Sequence, residues 1–142
     1  MTRYAHLRGV GFDVVVDVTT GAPTVLHWGV RLGDDVDAAA LAAAADRALV
    51  AGTPDVIAPL STVPEHGAGF PGRPGLAVRR PGGGAWSPRF AAVDHQVAST
   101  GLTVTARDDV AELELATTID AGDVLRVRST LTNVGVTRCS LD

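Results

Sequence analysis

Apolar and polar residues alternate with a period of two in the last third of the chain, at 102–105, 112–117 and 125–132. This alternation is typical of β-strands that bury one face. With the apolar segment at 90–98, it predicts four strands separated by short turns. Because short turns join neighbouring strands, the pattern predicts an antiparallel meander.

Two more apolar segments, at 12–18 and 25–30, are short and rich in β-branched residues. Residues 19–23, between the two segments, include Gly21 and Pro23, which favour a turn. The sequence therefore predicts a β-hairpin near the start of the chain.

The segment 37–50 is rich in alanine and leucine, begins with Asp37 and is followed by Gly52 and Pro54. An acidic start, strong helix formers and helix-breaking residues after the end together predict a helix. Leu41 and Ala45 fall on one face of this helix, and we expect that face to contact the core.

The segment 52–88 contains seven of the eight prolines and eight of the sixteen glycines. This composition excludes long helices and central strands and predicts a long loop. The loop also contains Val56, Leu60, Phe70 and Trp86. Because a solvated linker would not carry so many large apolar side chains, we expect an ordered loop that packs against the domain.

These elements predict a mainly β fold, an antiparallel β-sandwich with one early α-helix and a long Pro/Gly-rich loop, in one domain at 1–142. The segment 136–142 begins as a further strand and then stops. It would leave a strand edge exposed, which free-standing proteins usually avoid. The sequence therefore predicts a truncated sandwich.

Composition and charge argue against nucleic-acid and membrane partners. The net charge is −4, and the twelve basic residues are all arginines scattered along the chain. We therefore expect no nucleic-acid partner. No apolar run approaches the ~20 residues of a membrane-spanning helix, and the single Cys139 cannot form an internal disulfide, which favours the cytoplasm.

The ionisable residues do not form a recognisable catalytic or metal-binding motif. Most of the aspartates fall at the predicted helix start or in turns, where they have structural roles. The four histidines lie in separate segments without paired spacing, so we predict no metal, no cofactor and no catalytic residue. For Trp28 and Trp86 we expect core packing.

The loop segment 64–76, PEHGAGFPGRPGL, is the candidate ligand contact. Its four glycines and three prolines fix an unusual backbone path that presents Glu65, His66, Phe70 and Arg73. An arginine can bind carboxylates or pairs of sugar hydroxyls, and an aromatic ring can stack on a sugar. In the alternative interpretation, Arg73 binds backbone carbonyls of its own loop.

The motifs VLHWG, PEHGAGFPGRPGL, WSPRF, LTVTARDD and VLRVRSTLTNVG occur in this order along the chain. In this order they resemble the N-terminal β-sandwich domain of glycoside hydrolase family 36, the bacterial α-galactosidases. The resemblance extends from residue 4 to residue 142 and implies that the chain is part of the family's larger sandwich, a partial supersandwich.

The resemblance implies a large enzyme in which a (β/α)8 barrel follows this domain. In the family, two aspartates of that barrel release terminal α-linked galactose from oligosaccharides by a retaining double displacement. Neither catalytic motif occurs in this chain. Family members often form homo-oligomers, and the resemblance implies that Arg73, with Phe70 beside it, lines the sugar pocket of another subunit. The acidic residue that some members carry just before the aromatic residue is missing here.

We therefore expect a non-catalytic N-terminal domain or fragment of an α-galactosidase, which meets its galactoside substrate only in the full-length enzyme. An independent β-sandwich module that binds carbohydrate or protein is the alternative. A third alternative is a decayed remnant without a function.

Overall fold

The computed structural model describes residues 3–46 and 61–142. Three antiparallel strands, β1 (Tyr4–Arg8), β2 (Phe12–Asp17) and β3 (Thr24–Val30), form the first sheet in that order. The predicted hairpin is confirmed as β2 and β3. No sequence pattern predicts β1, which pairs with the side of β2 opposite β3.

The helix α1 (Ala38–Ala45) follows the first sheet. The Asp37 carboxylate caps it by accepting hydrogen bonds from the backbone N–H groups of Ala39 and Ala40, both at 3.0 Å. Leu41 is only half-buried, Ala45 is exposed and no residue of Ala38–Ala45 is buried, so the expected contact of this face with the core is not formed there. Residues 47–50 of the predicted helix and 52–60 of the predicted loop lie outside the described residues.

From residue 61 to residue 90 the chain follows a loop-like path around the domain. It contains one 3-10 turn at His66–Ala68 and the two-residue strand β4 (Val78–Arg79). At 80–84 the Gly-rich segment makes a tight turn, in which Gly82 and Gly83 have φ angles of 86° and 81°. Such left-handed angles favour glycine.

The second sheet is the predicted meander of four antiparallel strands. Its strands, in order, are β5 (Ala91–Val97), β6 (Gly101–Asp108), β7 (Leu113–Ala121) and β8 (Leu125–Asn133). The alternation along β6 and β7 is confirmed, because every second residue is buried in both strands.

The final strand, β9 (Ser140–Leu141), pairs with β4. The strand predicted within 136–142 is therefore present as Ser140–Leu141, and one of its edges is paired with β4. The guanidinium of Arg80 supports this pairing by donating to the backbone oxygens of Ala111 and Thr137 and to the side-chain oxygen of Asn133.

Two apolar clusters form the core. The first cluster joins the two sheets face to face and consists of Ala5, Leu7, Val14, Val16, Val18, Leu102, Val104, Ile119 and Ala121. The second cluster joins the 61–90 segment to the second sheet and consists of Ala22, Val63, Val78, Phe90, Ala106, Ala111, Leu113 and Leu115. The mainly β, antiparallel, sandwich-like fold predicted from the sequence is thus confirmed.

The expectation for the two tryptophans is wrong. Trp28 is 66% exposed and Trp86 is 68% exposed. Trp28 lies on β3, an edge strand of the first sheet, where the second sheet does not cover its side chain. None of the helices in the described parts of the chain is long and apolar enough to cross a bilayer.

Candidate functional site

The candidate loop at 64–76 is closed by its own backbone. Phe70 N–H donates to the carbonyl of Glu65 at 3.1 Å, and Gly75 N–H donates to the carbonyl of Pro64 at 2.8 Å. Gly75 lies so close to Pro64 that a Cβ atom there would be 2.9 Å from the proline ring. The glycines and prolines therefore fold this segment into a compact loop whose two ends meet.

The structure separates the four candidate residues of this loop. Glu65 and Phe70 line one cavity. His66 Nε2 lies 2.8 Å from the carbonyl oxygen of Gly72 and helps to close the loop. Arg73 is exposed, and its guanidinium has no hydrogen bond or ion pair with residues 3–46 or 61–142. The loop-tying role considered for Arg73 is therefore filled by His66 and by the backbone.

The cavity has a volume of about 430 Å³ and lies between the loop, the β2–β3 turn and the start of β5. Its lining residues are Thr19, Thr20, Gly21, Ala22, Thr24, Ser61, Glu65, Ala68, Phe70, Arg89, Phe90 and Ala91. Two isolated bridges hold its walls together: Thr24 pairs with Ser61, and Thr20 pairs with Ala91. Cavities of this size accommodate small organic ligands.

Glu65 is the buried ionisable group of this cavity and is only 7% exposed. Its Oε2 accepts a hydrogen bond from Phe90 N–H at 3.3 Å, whereas Oε1 is buried and has no partner in the described parts of the chain. Burial raises the pKa of Glu65 to about 7, and the Phe90 N–H and the Arg89 charge only partly oppose this shift. Near neutral pH the carboxyl group is therefore present in both protonation states.

Thr24 and Arg89, which no sequence pattern indicates, complete the polar lining. Thr24 Oγ1 is buried and has no hydrogen-bond partner within residues 3–46 and 61–142. Arg89 lies on the exposed side of the cavity, and its backbone N–H is held by the Asp108 carboxylate at 2.8 Å. No sequence signal marks Thr24, because its position beside Glu65 depends on the pairing of β3 with residue 61.

The composition of the lining decides which chemistry this cavity supports. Among the lining residues, Glu65 is the only carboxylic acid. Glycoside hydrolysis generally needs two carboxyl groups on opposite sides of the bond. The described residues also contain no group of three or more His, Cys, Asp or Glu residues placed to hold a metal ion. Within the described residues, the cavity thus offers one acid that can bind a ligand or exchange a proton.

Comparison with known proteins identifies the family. The model of the glycosyl hydrolase family 36 N-terminal domain matches residues 21–142. The chain therefore belongs to this family. No curated protein matches the sequence.

Solved α-galactosidases of family 36 from Geobacillus stearothermophilus share the fold. A variant of AgaA in complex with 1-deoxygalactonojirimycin has a TM-score of 0.74 at 17% identity, over 97% of this chain and 23% of that chain. AgaB has a TM-score of 0.67 at 18% identity, over 99% of this chain and 22% of that chain. The chain thus spans less than a quarter of the length of the solved enzymes it matches.

Proposed function

We propose that this chain is the non-catalytic N-terminal domain of an α-galactosidase that releases terminal α-linked galactose. The family match over residues 21–142 carries this proposal. Further support comes from the candidate cavity, in whose lining the described residues supply one carboxylic acid, whereas hydrolysis generally uses a pair. A related AgaA variant has been solved with raffinose, and we extend this substrate class to the full-length form of the present protein.

In the full-length enzyme the domain would support assembly of a homo-oligomer, and the loop at 64–76 would reach the sugar site of a neighbouring subunit. The exposed guanidinium of Arg73 supports this role, because it is free to bind sugar hydroxyls. Phe70 belongs to the same loop and is half-buried in the lining of the cavity, so part of its ring remains accessible. Glu65 and His66 would hold the loop in shape.

A chromogenic α-galactoside tests the non-catalytic role. The purified chain should give no turnover above a buffer blank, whereas the protein extended by the sequence encoded after Asp142 should hydrolyse the substrate. Turnover by the isolated chain would contradict the proposal. A gene that stops at Asp142 would instead favour the independent binding module.

An Arg73→Ala variant of the extended protein tests the role of the loop. We expect kcat/KM to fall about tenfold to a hundredfold, the usual effect of losing a hydrogen bond to a charged group. Arg128→Ala is the matched control, because Arg128 is exposed on β8, far along the chain from the loop. Equal kcat/KM values for the two variants would contradict a contact between Arg73 and the sugar site. Light scattering that shows a monomeric extended protein would contradict the contribution from a neighbouring subunit.

A further inference from the structure

The cavity beside Glu65 presents two hydrogen-bonding atoms that the protein leaves unsatisfied. Glu65 Oε1 and Thr24 Oγ1 are both buried, and neither has a partner among the described residues. Buried polar atoms without partners are uncommon because losing water without a replacement bond is unfavourable. Two of them at one cavity, contributed by segments far apart in sequence, indicate a site built for a bound molecule.

The remaining hydroxyl groups of the lining are already engaged within the protein. Thr20 Oγ1 donates to the carbonyl of Ala22 at 2.9 Å, and Ser61 Oγ donates to the carbonyl of Val63 at 2.8 Å. The rest of the wall includes alanines and the ring of Phe70. A mostly apolar wall with a few free polar atoms suits a ligand that has hydroxyl groups on its edge and C–H groups on its face.

The charges around the cavity disfavour an ionic ligand. The lining holds one acid, Glu65, and one base, Arg89, so an anion would meet the carboxyl group and a cation would meet the guanidinium, and no charge of a single sign favours either ion. A neutral ligand avoids both penalties and can donate one hydroxyl to Glu65 and accept from Thr24.

We propose that this cavity binds a neutral polyhydroxylated molecule of one or two sugar rings. Glu65 and Thr24 would be its polar contacts, and the ring of Phe70 would cover its apolar face. This site lies within the chain itself and does not require a neighbouring subunit or a barrel. It differs from the sugar-site contact proposed for Arg73, with which it shares only Phe70.

Calorimetry or ligand-observed NMR with the purified chain tests the proposal. The neutral probes are methyl α-galactoside, methyl α-glucoside and maltose, and the charged probes are ethylammonium and acetate. We expect at least one neutral probe to bind with a Kd on the order of 1 mM, the range for a ligand with about a dozen heavy atoms. At the same concentrations, neither ion should bind.

Three variants place the bound probe in the structure. At about pH 8, above the raised pKa of Glu65, Glu65→Gln should weaken binding about tenfold or more, because it replaces a charged acceptor with a neutral amide. Thr24→Val preserves the shape of the side chain and removes its hydroxyl, and should weaken binding about threefold to tenfold. Glu114→Gln is the matched control on β7, outside the cavity, and should leave the Kd unchanged.

The outcomes separate this site from the alternatives. If none of the neutral probes binds at concentrations well above 1 mM, only water occupies the cavity and the proposal is overturned. If either ion binds as tightly as a neutral probe, the proposal is also overturned. If Arg73→Ala loses binding while Thr24→Val keeps it, the probe binds to the exposed loop, and this result would also overturn the proposal. If Glu65→Gln does not fold, the Thr24→Val result decides.

Discussion

Glu65 shows how a single residue can link a loop to the stability of the domain. Its carboxyl group is buried, its Oε2 accepts from Phe90 N–H, and its Oε1 has no partner. One weak hydrogen bond does not compensate for the loss of water around a charged carboxylate. Folding therefore raises the pKa of Glu65 and shifts its carboxyl group toward the protonated form.

The free energy of unfolding should consequently depend on pH through Glu65. Its pKa rises from an ordinary 4.5 to about 7 on folding. Between these values the folded protein keeps a proton that the unfolded chain has released, so stability falls as pH rises through this window. The loss attributable to Glu65 should reach about 3 kcal/mol, measured by urea denaturation at both ends of the window.

Glu65→Gln is neutral at every pH and should lack this part of the pH dependence. Glu114→Gln, whose carboxylate pairs with Arg107 on the sheet surface, should keep it. If the wild type and Glu65→Gln show the same slope between about pH 5 and about pH 7, the carboxyl group ionises normally and the expectation fails.

At the scale of the elements, Asp13 connects the first sheet to residues 31–32, which follow β3. This carboxylate is fully buried on β2. It lies 2.9 Å from His6 Nε2 on β1 and accepts from Leu32 N–H at 3.0 Å. Burial alone would raise the pKa of Asp13, but these hydrogen bonds and the nearby charges of His6 and Arg31 lower it below its usual value.

Asp13→Asn should therefore destabilise the protein by about 3 kcal/mol, the usual effect of breaking a buried ionic contact. In the wild type, the stabilising contribution of the Asp13 carboxylate is present above its unfolded-state pKa and is lost as pH falls through its lower folded-state pKa. Asp34→Asn, which breaks an exposed pair with Arg8, is the control and should cost at most about 1 kcal/mol. Equal losses in chemical denaturation would show that Asp13 acts as a surface charge.

The sequence predicts elements well where local pattern determines them. The β2–β3 hairpin and the four-stranded meander follow from alternation and turn residues, which are local signals. It does not predict β1, because only Ala5 and Leu7 of that strand are buried and the apolar signal is weak. The short pairing of β4 with β9 has no local signal, since residues more than sixty positions apart define it.

The same limit applies to the candidate site. Composition and the Gly/Pro pattern were enough to select the loop that carries Glu65 and Phe70. They could not select Thr24 or Arg89, because contacts between distant segments bring these residues to the cavity. Nor could they show that Trp28 is exposed, because the sequence does not reveal which strand lies at the edge of a sheet.

At the scale of the whole molecule, β6 and β7 connect the two apolar clusters. Leu102 belongs to the cluster between the sheets, and Leu113 belongs to the cluster under the 61–90 segment. Both side chains project from strands that are paired along their full length. Because the two clusters share these strands, we infer that the described parts of the chain unfold as one cooperative unit.

Leu102→Ala and Leu113→Ala should each lower the free energy of unfolding by about 2 to 5 kcal/mol, since both side chains are completely buried. Each variant should still unfold in a single transition, with circular dichroism and tryptophan fluorescence giving the same midpoint. Val110→Ala, at a position that is 97% exposed, should change stability by less than about 0.5 kcal/mol. If Leu113→Ala instead separated the two signals, the 61–90 segment would be released before the sheets separate, and the two clusters would be independent units.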